Sequence, residues 1–358
     1  MTKSTILIFC ILLLSCHSKN TLSPEQQLGK QLFFDARLSY PSGQSCATCH
    51  RPERGFADTL ARDVSEGVIP GRFSMRNAIT IAYAAFVPPL TYDQEEETYI
   101  GGLFWDERVN TLEEQSAEPF KNPVEMAASP HWVVEQVKKT KVLLQLQRLY
   151  GPTENEDSLY GYINRAIAAY ERSTEVCPFS SKFDAYLAGK VQLTATELKG
   201  LDLFQHKGLC ANCHILEPDP KAKKVLFTDH TYDNLGLPRN TKLAFYQMSG
   251  EYGPGNRDTI DPGLGGFLKD RTQYGKFRVP TLRNIALTAP YGHNGYFTTL
   301  EDIVHFYNVR DISKEYPEPE YSQTINKEEL GNLQLTQEEE AALVSFMQTL
   351  TDGYMKPD

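Results

Sequence analysis

The sequence predicts a mainly α-helical chain built as two similar domains, and three observations carry that reading. The pattern Cys-x-x-Cys-His occurs twice, as Cys46-Ala47-Thr48-Cys49-His50 and as Cys210-Ala211-Asn212-Cys213-His214. A similar stretch precedes each copy, with Gly29, Leu32 and Phe33 matched by Gly200, Leu203 and Phe204. Elsewhere apolar residues recur at helical spacing, and no strong alternating run marks a strand. From Gly to the first Cys is 17 residues in one copy and 10 in the other, so the chain reads as one domain duplicated with different loops.

Cys-x-x-Cys-His is the attachment signal for c-type haem. Two thiols add to the vinyl groups, and the adjacent imidazole binds iron from one face. A single Cys-x-x-Cys also suits a redox dithiol, half of a zinc site or a short disulfide. Repetition, the His after each second Cys, and an export signal favour two covalent haems. The fold class is therefore mainly α, two cytochrome c-like haem domains related by internal duplication, over residues 17–185 and 186–358. The boundary lies around Pro178 to Val191.

Residues 1–16 read as a signal peptide of lipoprotein type. Lys3 supplies a positive start, and Thr5 to Leu14 is an apolar run too short to span a bilayer. Leu13-Leu14-Ser15-Cys16 resembles a lipoprotein cleavage box, which would leave Cys16 lipidated; ordinary cleavage nearby is the alternative. This predicts a periplasmic protein anchored to the membrane through Cys16. Of seven cysteines, four hold haem, Cys10 leaves with the signal, Cys16 takes lipid, and Cys177 reads as a small buried side chain. A net charge of −10 argues against nucleic acid, which needs basic surface. It suits a basic electron donor, or simply a solvated acidic surface.

Beyond a polar linker at 17–22, Ser23 reads as an N-cap, with Pro24 at the first helical position and Gln26 closing a capping box. Thr111 to Glu114 is a second capping box, opening a short helix that contains Gln115 and ends at Pro119. Helical periodicity covers Trp132 to Tyr150, Leu159 to Thr174, Leu300 to Tyr307 and Thr336 to Leu350. Thr299 opens the third of these, with Asp302 as a less usual partner.

Two haems serve either a carrier, with both faces of each iron closed by protein, or an enzyme, with one face open and equipped with acid–base groups. No His lies between His50 and His131, so the first iron reads as open. Met75 and Met126 are possible thioether ligands there but read better as core.

The stretches SCATCHRPERGFAD, FWDERVNTLEEQ, NPVEM and FRVPTLRNIALTAPYGHNGYFTTLEDIVHFY resemble the bacterial di-haem cytochrome c peroxidase / MauG family, over about residues 24 to 350. The resemblance implies roles. Trp105 would lie between the haems and relay electrons; without the motif it reads as a large core residue. Gln115 and Glu125 would form the peroxide pocket of the first haem. A carboxylate there can take a proton from one peroxide oxygen and pass it to the leaving oxygen. His50 and His214 would ligate the two irons. Tyr307, fourteen residues after His293, stands where ordinary peroxidases of the family place Met, as in the MauG-like branch. The alternative is a core Tyr, with His305 or a methionine as ligand. Asn77, Thr288 and Pro290 would hold calcium through an amide oxygen and backbone carbonyls.

The implied activity is an oxidoreductase of cytochrome c peroxidase type. It would reduce hydrogen peroxide with electrons from a small donor protein, a cytochrome c or a cupredoxin. The alternatives are a MauG-type enzyme that oxidises residues of a partner protein, and a non-enzymatic di-haem electron carrier.

Overall fold

Ser23 accepts from the Gln26 N–H while the Gln26 side chain accepts from the Ser23 N–H at 2.9 Å, so the first helix starts on a closed capping box. It opens a computed structural model that describes residues 21–58, 63–256 and 258–355. The leader, with Cys10, Cys16 and His17, lies outside the described residues. The helices are α1 (Pro24–Phe33), α2 (Cys46–Cys49), α3 (Leu112–Lys121), α4 (Pro130–Lys138), α5 (Val142–Tyr150), α6 (Glu156–Glu171), α7 (Lys182–Leu187), α8 (Ala195–Gln205), α9 (Leu264–Leu268), α10 (Leu300–Val309) and α11 (Gln337–Gln348). Strand structure is slight. Among the described residues, β1 (Thr91–Asp93) pairs antiparallel with β2 (Thr98–Ile100), and β3 (Tyr232–Asp233) pairs antiparallel with β4 (Phe277–Arg278).

Two cores carry most of the apolar burial. The first packs α1, α4, α5 and α6 around Leu28, Leu32, Phe33, Val133, Ile163 and Ile167. The second packs α8, α10 and α11 around Leu203, Phe204, Phe227, Phe306, Leu343 and Phe346. The first also takes in Leu226, and the second begins in sequence at Phe183. A smaller cluster joins Val64 to Leu243 and Tyr246, and there the Phe73 N–H meets Met248 Sδ at 3.1 Å. Residues 63–73 are thereby fastened to 243–248.

One packing motif recurs. A Cβ on Gly29 in α1 would overlap the carbonyl oxygen of Ala166 in α6 and lie 3.0 Å from Tyr170 Cβ. A Cβ on Gly200 in α8 would overlap the carbonyl oxygen of Ala342 in α11 and lie 2.8 Å from Phe346 Cβ. In each pair a Gly on one helix meets an Ala and, four residues on, an aromatic of the other. The backbones touch because nothing projects between them. Each first helix then hands the chain to a Cys-x-x-Cys-His segment.

Two helix limits differ from the sequence expectation. The 132–150 stretch is two helices, because the Thr140 hydroxyl donates to Val137 O at 2.9 Å and accepts the Val142 N–H at 3.1 Å, a local turn that outcompetes the helix. And α3 does not stop at Pro119 but runs to Lys121. Pro119 removes only the bond its N–H would have made to Gln115 O. The break comes at Asn122, which turns to extended backbone.

Ala at Gly29 or Gly200 should cost about 1–3 kcal/mol through forced separation of the helices. Gly161 on α6 has nothing within 4 Å of an added Cβ. Its change to Ala should instead stabilise by roughly 0.5–1 kcal/mol. Guanidinium unfolding of the three variants checks both signs.

Candidate functional site

Each Cys-x-x-Cys-His segment opens onto a cavity. One, of about 1620 Å3 including its mouth, is lined by Cys46, Cys49 and His50. The other, of about 1740 Å3 including its mouth, is lined by Cys210, Cys213 and His214. His50 Nδ1 lies 3.0 Å from Phe56 O, and His214 Nδ1 lies 2.9 Å from Phe227 O. Both contacts need the proton on Nδ1 and so present Nε2 as the metal-binding nitrogen. Burial holds both imidazoles below their usual range, His214 at about 4, so they stay neutral, as a ligand must. Burial also pushes up the Cys46, Cys210 and Cys213 thiols, Cys210 to about 12, which makes them poor thiolates. A redox dithiol or zinc site needs thiolates; a thioether link does not. Shape, apolar lining and donor set therefore fit one covalent haem in each cavity.

The two cavities differ in what else lines them. Gln115 and Glu125 line the first only, and Tyr307 the second only. Trp105 lines both, with its indole N–H donated to Asn77 O at 2.9 Å. Both Met75 and Met126 line the first cavity, and Met126 is also part of the first core.

Glu125 is held from three sides. Its N–H donates to Asn122 O at 3.0 Å, and its carbonyl accepts the Val68 N–H at 2.8 Å. Its Oε1 accepts Asn122 Nδ2–H at 2.7 Å. Gly67 permits this clamp, since a Cβ there would overlap Val124 O. Burial raises the Glu125 carboxyl above the ordinary range; Arg108 and the Asn122 bond oppose that in part. Its Oε2 has no hydrogen-bond partner among the described residues.

In the second cavity Tyr307 and Ile303 share one face of α10. Burial drives the Tyr307 phenol far up, and its hydroxyl has no hydrogen-bond partner among the described residues. His305 turns the other way, 3.0 Å from Glu340 Oε1 and 3.4 Å from Glu315 Oε2, and does not line the cavity. Met347 does line it. Thr299 caps α10 by accepting the Asp302 N–H at 3.1 Å, without a reciprocal bond from Asp302. Asn77, Thr288 and Pro290 also line this cavity, and Asn77 Nδ2–H donates to Asp63 O at 3.2 Å.

The sequence reading left out three residues of this region. Arg278 lines both cavities although only 5% exposed, and its Nε–H donates to Phe104 O at 3.3 Å. Arg76 bridges the halves, with Nη1 2.6 Å from Asp106 Oδ2 and Nε 2.6 Å from Asp261 Oδ2. His293 stacks on Phe277 at 3.6 Å between centroids, and its Nε2 lies 3.7 Å from Glu320. The one signal that could have found them was charge inside an apolar motif, as in Phe277-Arg278-Val279. Cys177 is buried with its Sγ–H on Glu171 O at 3.5 Å and its thiol pushed to about 12, an inert side chain.

A family model described as di-haem cytochrome c peroxidase matches residues 23–192. Methylamine utilization protein MauG of Paracoccus denitrificans is 35% identical over 352 residues, covering 92% of this chain and 89% of its own. Cytochrome c551 peroxidase of Pseudomonas aeruginosa is 31% identical over 292 residues, covering 81% and 73%. Among solved structures, the diheme peroxidase BthA of Burkholderia thailandensis superposes with a TM-score of 0.79 at 34% identity, covering 93% of this chain and 87% of that one.

Proposed function

The chain belongs to the di-haem cytochrome c peroxidase family, and from that premise we propose how its residues divide the work. The protein is an oxidoreductase of peroxidase type carrying two haem c groups. The first cavity cleaves hydrogen peroxide, and the second passes electrons to it through Trp105. One observation carries this assignment. Trp105 lines both cavities, whereas the acid–base pair Gln115 and Glu125 lines only the first.

When bound, the haem pair supplies the redox chemistry that breaks the O–O bond. The protein supplies proton handling. Asn122 occupies Oε1 of Glu125, so Oε2 takes the proton from one peroxide oxygen and returns it to the leaving oxygen. Gln115 orients the substrate by hydrogen bonding. Two further protons and two electrons complete two waters. The electrons come from a small redox protein, a cytochrome c or a cupredoxin. Tyr307 would ligate the second iron opposite His214, and Asn77, Thr288 and Pro290 would hold calcium. We place the protein in the periplasm, after removal of residues 1–15 and lipidation of Cys16. Among the described residues no helix is long and apolar enough to cross a membrane.

The recurring Gly–Ala–aromatic crossing and the two His–carbonyl bonds support descent of residues 17–185 and 186–358 from one duplicated domain. A second reading, oxidation of a partner protein as the resemblance to the MauG-like branch implies, is supported by Tyr307 lining the second cavity.

Mixing the oxidised holoprotein with peroxide, alone and then with reduced donors, tests the function. A haem absorbance change followed by donor oxidation is expected; no change would leave only a carrier. Because no His supplies a loop ligand between Arg51 and Pro130, EPR of the fully oxidised form should already show a high-spin haem. Only low-spin signals would count against an open first site.

Glu125→Gln should keep both haems and slow peroxide cleavage by about 10²-fold or more. As Glu125 must be ionised to act as base and its carboxyl is raised, the wild-type rate should fall on acidification at a higher pH than an ordinary carboxylate would dictate. The Gln variant should lack that limb. An unchanged rate profile removes Glu125 from the mechanism.

Tyr307→Met should raise the second haem's midpoint potential, since a phenolate favours ferric iron more than a thioether does. Redox titration of both proteins decides it. Equal potentials would make Tyr307 a core residue and leave the peroxidase standing on His50, Gln115 and Glu125.

A further inference from the structure

Glu107 is 1% exposed, and neither of its carboxylate oxygens has a hydrogen-bond partner among the described residues. Its backbone stands at φ 67°, in the left-handed region that favours glycine. Its side chain lies over Gly102, itself at φ 76°, where any Cβ would overlap the Glu107 carbons. Burial, hydrogen bonding and backbone conformation therefore all oppose an acid here. A conformation and a buried polar group this unfavourable persist where the surroundings hold them, and such positions cluster at functional sites. The position is two residues beyond Trp105.

Three groups act on Glu107. Arg278 acts on it most strongly after burial, and Arg278 lines both haem cavities. Asp106 is already taken up by Arg76 at 2.6 Å and Arg108 at 3.1 Å. Tyr232 is committed through its hydroxyl to Gly101 O at 2.7 Å. His230, the other group beside Arg278, is buried with neither ring nitrogen partnered among the described residues, and burial drives it down to about 3, so it adds no charge. The balance of charge at the junction thus rests on Glu107 and Arg278.

We propose that Glu107 is a positioning residue for the electron path: together with Arg278 it sets the net charge between the two haem cavities, and so how readily positive charge rests there. The proposal rests on the peroxidase reading and adds to it a residue that touches neither substrate nor iron. With Glu107 protonated, Arg278 leaves the junction positive, and oxidised neighbours are disfavoured. With Glu107 ionised the junction is neutral, and the oxidised forms gain. In a buried region such a change acts through a low dielectric and reaches both sites.

The test is spectroelectrochemical titration of both haems in the holoprotein, below and above about pH 8, where burial places the Glu107 carboxyl. Wild type should show midpoint potentials that step down as pH rises through that region. Glu107→Gln should lose the step and keep the higher potentials throughout. Glu107→Gly should do the same and melt at a higher temperature, because glycine suits φ 67° and the buried acid is gone. An identical step in either variant overturns the proposal. The measurement does not depend on turnover. A wild-type protein that shows the step but never reacts with peroxide would sink the peroxidase reading and leave Glu107 standing; the reverse result would do the opposite.

Discussion

A close backbone approach in each half, Gly29 on Ala166 and Gly200 on Ala342, is the constraint on which the rest depends. Each approach fixes the middle of one helix against a second. The chain leaving the first of the two must deliver two thiols and an imidazole to one wall of a cavity. The helices themselves are only ten and eleven residues long at α1 and α8, marginal alone. The capping boxes at Ser23 and Thr194 add about 1 kcal/mol each, and packing against the longer helix supplies the larger share of what holds them. The aromatic that follows four residues later, Tyr170 or Phe346, closes the same joint from the side.

The second determinant is the wall between cavities. Arg76 joins Asp106 and Asp261 from opposite halves, and the acids are almost wholly buried. Removing one partner from such a set costs on the order of 3–5 kcal/mol, because the other charge stays behind. Trp105 stands in this wall with its N–H fixed on Asn77 O. An indole so held has its ring orientation settled before any electron arrives, and no base receives its N–H proton. Charge placed on it is therefore countered by the fixed groups around it, not by proton loss.

Legibility in the sequence followed the range of the forces involved. The Cys-x-x-Cys-His pattern is local, so Cys46 to His50 and Cys210 to His214 were readable at once. Helix starts were readable for the same reason, because a capping box spans four residues. Helix ends were less so: Thr140 splits 132–150 through a side-chain bond that competes with periodicity, and Pro119 costs a single bond and lets α3 continue. Arg278 and Glu107 were invisible as site residues, since their importance comes from burial by segments far apart in the chain. Glu125 was visible through its motif. Its clamp by Gly67 and Val68 was not, because that contact joins loops that share no pattern.

That clamp does not end within its own half. The segment bearing Gly67 and Val68 is itself fastened, through Val64 and Phe73, to Leu243, Tyr246 and Met248 in the other half. The loop that presents the Glu125 carboxylate to the first cavity therefore takes its position from residues more than a hundred places downstream. Two halves that share a packing motif are for this reason not interchangeable parts. Neither can be traded for the corresponding half of a relative without also trading the patch that steadies its neighbour. The two must be inherited as a matched set, and changes at 243–248 are constrained by chemistry carried out elsewhere.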